Sequence, residues 1–177
     1  MRKYLSLPAV AVLLLGSAGV AQAVEVGAAV GVTSQNDMTY RLSLGLPWEK
    51  QWWKSDLGYV TGYWDAGYTY WEGGSGNDNY AGAHSLSFSP VFTYEFSGFS
   101  SVTPFLELGV GVAFFSKTRV GEQQLGSSFN FEDRIGAGIK FAGGQKVGIR
   151  AIHYSNAGIK QPNDGIESFS AYYSHAF

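Results

Sequence analysis

The chain contains no cysteine and, beyond residue 23, no long apolar run. Without cysteine the fold has no disulfide to stabilise it, even if the protein is exported to an oxidising compartment. The missing apolar run argues against a transmembrane helix, which needs roughly 20 consecutive apolar residues. Charged residues make up only 15% of the chain and the formal net charge is −2, which gives no reason to expect nucleic-acid binding.

The N-terminal segment has the three parts of a secretory signal peptide. Arg2 and Lys3 supply the positive start, Leu5–Leu15 is the apolar centre, and a cleavage motif with small residues ends at Ala23. We therefore expect cleavage after Ala23 (domain 1–23, signal peptide), and a single mature domain over residues 24–177. The whole chain has a formal net charge of −2. Without Arg2 and Lys3, the remaining domain has a formal net charge of −4.

The chain is rich in glycine and aromatic residues, with 24 Gly, 12 Phe, 11 Tyr and 5 Trp. Eight segments of about ten residues alternate between apolar and polar side chains, which is the period of a β-strand. An exported, cysteine-free chain with this pattern is typical of a bacterial outer-membrane β-barrel. We predict an all-β fold, an eight-stranded antiparallel transmembrane β-barrel with periplasmic termini.

The charged residues of the alternating segments fall on the face opposite the large apolar side chains. Eight strands enclose an interior that side chains can fill, without a channel, so these charges should pair as a polar plug. A soluble barrel would turn its apolar face inward, but the aromatic residues are too many and too large for such an interior. The inward set is Glu25, Arg41, Asp65, Glu95, Glu107, Glu132, Arg134 and Arg150.

Some segments do not follow the alternation. Asp133 falls on the apolar face, so either a bulge shifts the strand there or the carboxylate lies at the level of the lipid headgroups. Pro47–Gly58 is expected to be a connection whose tryptophans form an interfacial belt. Glu72–Ala83 and Lys117–Gly126 are expected to be polar loops.

The segment Ala151–Glu167 carries the residues that indicate chemistry. If its two ends are antiparallel strands joined by the Gly, Pro, Asn and Asp residues between them, His153 and Glu167 face each other. Ser155 leaves the same face as His153, because side chains two residues apart on a strand point the same way. A nucleophile, a base and a carboxylate on one face are the triad of a serine hydrolase.

The triad residues share the face of the lipid-facing side chains on the last two strands. With periplasmic termini the seventh strand runs outward, so the site would lie outside the barrel, at the level of the outer leaflet. An outward site predicts a lipid substrate, and the outer leaflet of a Gram-negative cell contains lipopolysaccharide with ester-linked acyl chains. Oxyanion donors would be backbone N–H groups of Asn156, Ala157 and Gly158, with Asn163 as a second donor or a loop anchor.

The segment RAIHYSNAGIKQPNDGIES resembles the signature of the PagL family of outer-membrane lipid A 3-O-deacylases. The resemblance extends over the mature chain, through VTGYWDAGYTYWEGG, HSLSFSPVF and LGSSFNFEDRIGAG, and indicates a pseudomonad-like member. It implies an enzyme of the Gram-negative outer membrane. The enzyme would hydrolyse the ester at position 3 of lipid A and release a 3-hydroxy fatty acid.

The resemblance also implies roles for individual residues and partners. His153, Ser155 and Glu167 match the catalytic residues of the family. Asn156 and Gly158 match loop positions that the family uses for the oxyanion hole. Asn163 matches another position of the family. The resemblance implies neither a metal nor a cofactor. It implies a lipid A substrate in the outer leaflet and raises the possibility of a homodimer.

Two other functions remain open for a barrel of this kind. An outer-membrane phospholipase also uses Ser and His on the lipid side, but such enzymes have a larger barrel, depend on calcium and carry Asn in the third position. Glu167, eight strands and the lack of an acidic calcium cluster in the sequence count against it. In a non-catalytic structural barrel, His153 and Ser155 would be ordinary rim residues, and Ser155→Ala would have no effect.

Overall fold

Eight β-strands follow one another along the chain and close into an antiparallel barrel. The structure is a computed structural model that describes residues 23–74 and 82–177; the predicted signal peptide lies outside this part, apart from Ala23. The strands are β1 (Glu25–Val32), β2 (Met38–Pro47), β3 (Gly58–Trp71), β4 (Ala83–Phe96), β5 (Val102–Phe115), β6 (Phe129–Phe141), β7 (Gln145–Ser155) and β8 (Ile166–Ala176).

Backbone hydrogen bonds between the first and the last strand close the barrel. Each strand pairs with the next, and β8 returns to β1 in a register that runs from Glu25↔Ala176 to Val32↔Phe169. The predicted eight-stranded antiparallel barrel is therefore confirmed, with Glu25 and Ala176 paired at one end of the barrel. No helix in the described residues is long and apolar enough to span a membrane.

The outer surface of the barrel is apolar. Along β5, for example, Leu106, Leu108 and Val110 are 50%, 60% and 64% exposed, while Glu107 between them is 1% exposed. Exposure of such a continuous apolar surface to water is unfavourable, whereas contact with the hydrocarbon of a bilayer is favourable. The alternation in the sequence thus separates a lipid-facing surface from a polar interior.

The interior is filled with paired charges. All eight residues of the predicted inward set are buried. Arg134 Nη2 donates to Asp65 Oδ2 and to Glu132 Oε1, both at 2.7 Å, and Arg41 forms an ion pair with the same Asp65. A buried charge without a partner costs several kcal/mol, so this network is what makes a charged interior compatible with a stable barrel.

An aromatic cluster lies inside the barrel at the end where β7 stops. Tyr154 packs edge-on against Trp71 and Phe115, with ring centroids 5.5 and 5.3 Å apart. Its hydroxyl donates to Glu132 Oε2 at 2.7 Å. Because neighbouring residues on a strand point to opposite faces, this inward anchor turns His153 and Ser155 to the outside.

Two of the expected connections contain short strands. Within Pro47–Gly58, Trp52–Ser55 pairs with the start of β3. Within Lys117–Gly126, Arg119–Val120 and Gln123–Gln124 form a two-stranded hairpin. Both segments connect barrel strands, as expected, but the sequence did not predict the short strands, because strands of two to four residues are too short to show an alternation.

We predict that Arg134→Met destabilises the barrel strongly. The change leaves the buried carboxylates of Asp65 and Glu132 with Arg41 as their one remaining shared cation among the described residues, and breaking a buried ion pair costs about 3–5 kcal/mol. Urea unfolding of the protein in detergent micelles measures the effect as a lower midpoint. Lys54→Met, at an exposed position, is the control for loss of one positive charge. Equal midpoints for both variants and wild type would contradict the role of the network.

Candidate active site

A row of polar side chains crosses the lipid-facing surface near one end of the barrel. His153 on β7 lies opposite Glu167 on β8 and, on its other side, opposite Asp133 on β6. The first loop, which follows β1, continues the row with Ser34. The predicted antiparallel hairpin between His153 and Glu167 is thus observed, and its residues are neighbours in one surface row.

The central contact of the row joins His153 and Glu167. Nδ1 of the imidazole lies 2.8 Å from Oε1 of the carboxylate. The two side chains are 41% and 34% exposed, so the pair is open to the surroundings of the barrel and not to its interior. With its proton on Nδ1 the ring donates to Glu167, and Nε2 is then free to accept a proton from another group.

Ser155 is the next outward residue of β7 beyond His153, and it is half-buried. No hydrogen bond joins its hydroxyl to His153 within the described part of the chain. Residues two positions apart on a strand are separated by roughly 6.6 Å, which side-chain rotation has to bridge. Catalytic hydrogen bonds are often long before substrate binds, so this arrangement is compatible with a nucleophile and its base.

The loop between β7 and β8 is held by Asn156, which is fully buried. Its Nδ2 donates to the carbonyl oxygens of Leu125 and Lys160, both at 2.7 Å. Its backbone N–H donates to Oδ1 of Asn163 at 3.0 Å. The two asparagines therefore anchor the loop to each other and to the barrel rim, and the N–H of Asn156 is already engaged.

Other donors of this loop remain free. Gly158 is exposed, and its N–H and that of Ala157 make no hydrogen bond to any residue the structure describes. The same holds for Nδ2 of Asn163, whose Oδ1 is the acceptor for Asn156. The N–H groups of Ala157 and Gly158 lie in the turn that directly follows Ser155, where an oxyanion would need donors.

Gly165 closes the loop over the imidazole. Its φ is +73°, and a Cβ at this position would lie 2.8 Å from Cε1 of His153. Only glycine adopts this conformation easily and leaves room for the ring. The sequence identified Gly165 only as a turn residue. Its closeness to His153 is visible only in the structure.

Asp133 lies on the outer face, and its position resolves the ambiguity left by the sequence. The pairs Val110↔Asp133 and His153↔Asp133 belong to ladders without a shift in register. The bulge alternative is therefore wrong, and the side chain is exposed beside the histidine.

The loops at this end of the barrel are acidic. Partial burial raises the pKa of Asp37, and the negative charges of Glu72 and Glu122 raise it further. These residues do not form a metal site, since the described residues contain no group of three or more His, Asp or Glu side chains that could hold an ion.

Comparison with known proteins identifies relatives over nearly the whole chain. The family model described as "Lipid A 3-O-deacylase (PagL)" matches residues 37–176. A protein of Pseudomonas aeruginosa named Lipid A deacylase PagL is 64% identical over 173 residues, which is 98% of each chain. A protein of that name from Bordetella bronchiseptica is 38% identical over 73 residues, 41% of each chain.

A solved structure also matches. The crystal structure of "the outer membrane enzyme PagL" superposes with a TM-score of 0.80 at 66% sequence identity. The match covers 85% of this chain and 98% of the solved chain.

We predict that Asn156→Ala loosens the loop between β7 and β8 while the barrel stays folded. The change removes the donors to two carbonyl oxygens, and an unsatisfied buried acceptor costs about 1–3 kcal/mol. Hydrogen exchange followed by mass spectrometry should show faster exchange in residues 156–165. Gln161→Ala, in the same loop but exposed, should exchange like wild type. Unchanged protection in Asn156→Ala would contradict the anchoring role.

Proposed function

The chain belongs to the lipid A 3-O-deacylase (PagL) family, and we propose that it removes the 3-hydroxyacyl chain at position 3 of lipid A by a Ser-His-Glu mechanism. It is an ester hydrolase of the Gram-negative outer membrane. The observation that carries the proposed mechanism is the 2.8 Å contact between His153 and Glu167 on the lipid-facing surface, with Ser155 next along the same face.

In the first half-reaction Ser155 is the nucleophile. Nε2 of His153 takes the hydroxyl proton while Oγ attacks the ester carbonyl carbon, and a tetrahedral oxyanion forms. Glu167 holds the imidazole in the required tautomer and stabilises its positive charge. The ester C–O bond to the sugar then breaks, His153 returns the proton to the sugar oxygen, and the acyl group stays on Ser155.

In the second half-reaction water replaces the sugar. His153 takes a proton from the water as its oxygen attacks the acyl carbonyl carbon. When the second tetrahedral intermediate collapses, the bond to Ser155 Oγ breaks and the serine recovers its proton from Nε2. The 3-hydroxy fatty acid leaves, and the enzyme returns to its starting state without a metal or a cofactor.

Both tetrahedral intermediates need hydrogen-bond donors for their oxyanion. The N–H groups of Ala157 and Gly158 and the Nδ2 of Asn163 are the candidates, since the N–H of Asn156 already donates to Asn163. Asn156 then contributes as the anchor that holds these donors. One oxyanion donor typically accounts for about 3 kcal/mol of transition-state stabilisation.

The proposed substrate position is the outer leaflet. The site lies at the end of the barrel opposite Glu25 and Ala176, where the connections 116–128 and 156–165 join the strands. In outer-membrane barrels the long loops are extracellular and the short turns periplasmic. We propose the same orientation here, with export through the predicted signal peptide. All residues of the mechanism come from one chain, so a homodimer, if it forms, would not be needed for chemistry.

We predict that Ser155→Ala abolishes deacylation without unfolding the barrel. Refolded wild type and variant are incubated with lipid A, and the products are measured by mass spectrometry. Wild type should remove one 3-hydroxyacyl chain, and the variant should leave lipid A intact, because no nucleophile remains. The retained fold is checked by the heat-dependent shift of the barrel on gels. Full activity of Ser155→Ala would contradict the mechanism, and hydrolysis of phospholipid in place of lipid A would favour the phospholipase.

We predict that Gly165→Ala lowers kcat at least tenfold. The new Cβ would press on Cε1 of His153 and shift the ring away from Glu167 and Ser155. The same lipid A assay measures the effect. Gly158→Ala is a comparison at a residue with a similar φ of +78° but with nothing within 4 Å of the added Cβ. Equal rates for Gly165→Ala and wild type would contradict a steric role of Gly165.

A further inference from the structure

We propose that Ser34 is a positioning residue of the esterase site, which holds the carboxylate of Glu167 in the orientation that His153 requires. The inference rests on the proposed function, because it gives Ser34 a role only through the triad. It extends the site to the first loop of the barrel, at the far end of the sequence from the other residues.

The contact is direct. Ser34 Oγ donates to Oε2 of Glu167 at 3.0 Å, while Oε1 of the same carboxylate accepts from Nδ1 of His153 at 2.8 Å. Each oxygen of the carboxylate thus has its own partner on its own side. Two hydrogen bonds in different directions fix the rotation of a carboxylate group, which a single bond leaves free.

The loop that carries Ser34 is built to hold it in place. The hydroxyl of Thr33 accepts from the backbone N–H groups of Gln35 and Asp37, at 3.2 and 3.1 Å. The backbone N–H of Thr33 donates to the carbonyl of Asp37 at 2.8 Å, and that of Asn36 to the carbonyl of Thr33 at 3.0 Å. Ser34 therefore projects from a closed turn.

The register of the barrel explains why this turn meets Glu167. Val32, the last residue of β1, pairs with Phe169 of β8. Continued by two residues on each strand, the same antiparallel register sets Ser34 against Glu167. The contact follows from barrel closure, which joins the first strand to the last.

The surroundings of Glu167 favour a second partner for its carboxylate. The outer face below the row is apolar, and Phe169, the next outward residue of β8, is 50% exposed. An oxygen of a charged carboxylate without a donor at the edge of such a surface would turn toward water or headgroups. That rotation would take Oε1 away from His153, and Ser34 prevents it.

The test is kinetic, with lipid A in detergent as substrate. Ser34→Ala should lower kcat about three- to tenfold, with KM nearly unchanged, because the residue acts on the base and not on substrate binding. Ser34→Thr keeps the hydroxyl and should restore most of the rate. Gln35→Ala, in the same turn but without a side-chain hydrogen bond to the triad in the described structure, is the matched control and should behave like wild type.

A double-mutant comparison tests whether Ser34 acts through Glu167. In a Glu167→Gln background, which keeps the size of the side chain but removes its charge, Ser34→Ala should have little further effect on the residual rate. If Ser34 supported the barrel in general, it would lower the rate by the same factor in both backgrounds. That second result would overturn the proposal.

A spectroscopic measurement separates positioning from general damage. In protein labelled with ¹⁵N-histidine, the Nδ1–H proton of His153 should resonate downfield because of its bond to Glu167, and His153→Ala assigns it. In Ser34→Ala this resonance should shift upfield or broaden, while those of His84 and His175 stay unchanged. An unchanged His153 resonance together with an unchanged kcat would overturn the inference.

Failure of the inference and of the proposed function are distinguishable. An active Ser34→Ala beside an inactive Ser155→Ala would contradict only the role of Ser34. Full activity of Ser155→Ala would contradict the triad, and the role of Ser34 with it.

Discussion

The structure depends on the closed hydrogen-bonded ladder that joins β8 back to β1. In a bilayer no water is available for unpaired backbone groups, so the sheet has to close on itself. In a closed barrel, side chains that alternate along a strand face either the lipid or the small interior. In that interior, charges such as those of Arg134 and Asp65 must pair. The paired charges, in turn, fill much of the interior, which favours the outer surface as the place of the proposed chemistry.

The site follows from the same alternation. Tyr154 is anchored inward by its bond to Glu132 and by Trp71, so its neighbours on β7 face lipid. The regular strand pairing then determines the neighbours of His153: Glu167 lies on one side and Asp133 on the other. A polar row in a lipid-facing surface is costly, and it is tolerated at the rim, where the cost of polar groups is lower than at the midplane.

The sequence was sufficient for the parts that depend on periodicity. Eight strands, the inward charges and the facing pair His153 and Glu167 all follow from a period of two and one turn. Contacts between residues distant in sequence were not predictable in this way. Ser34 lies 133 residues before Glu167 and belongs to no motif, so barrel register alone reveals it. Asp133 was ambiguous for the same reason, because only the neighbouring strands show that the register has no bulge.

The central claim is that Ser155 is a nucleophile activated by His153 on the lipid-facing surface. A fluorophosphonate reagent, which modifies activated serines, tests it directly when the labelled peptide is identified by mass spectrometry. The account predicts one modified residue, Ser155, in the folded wild-type protein, and loss of the label in His153→Ala. Labelling of a different serine, or no labelling of a protein that still deacylates lipid A, would contradict it.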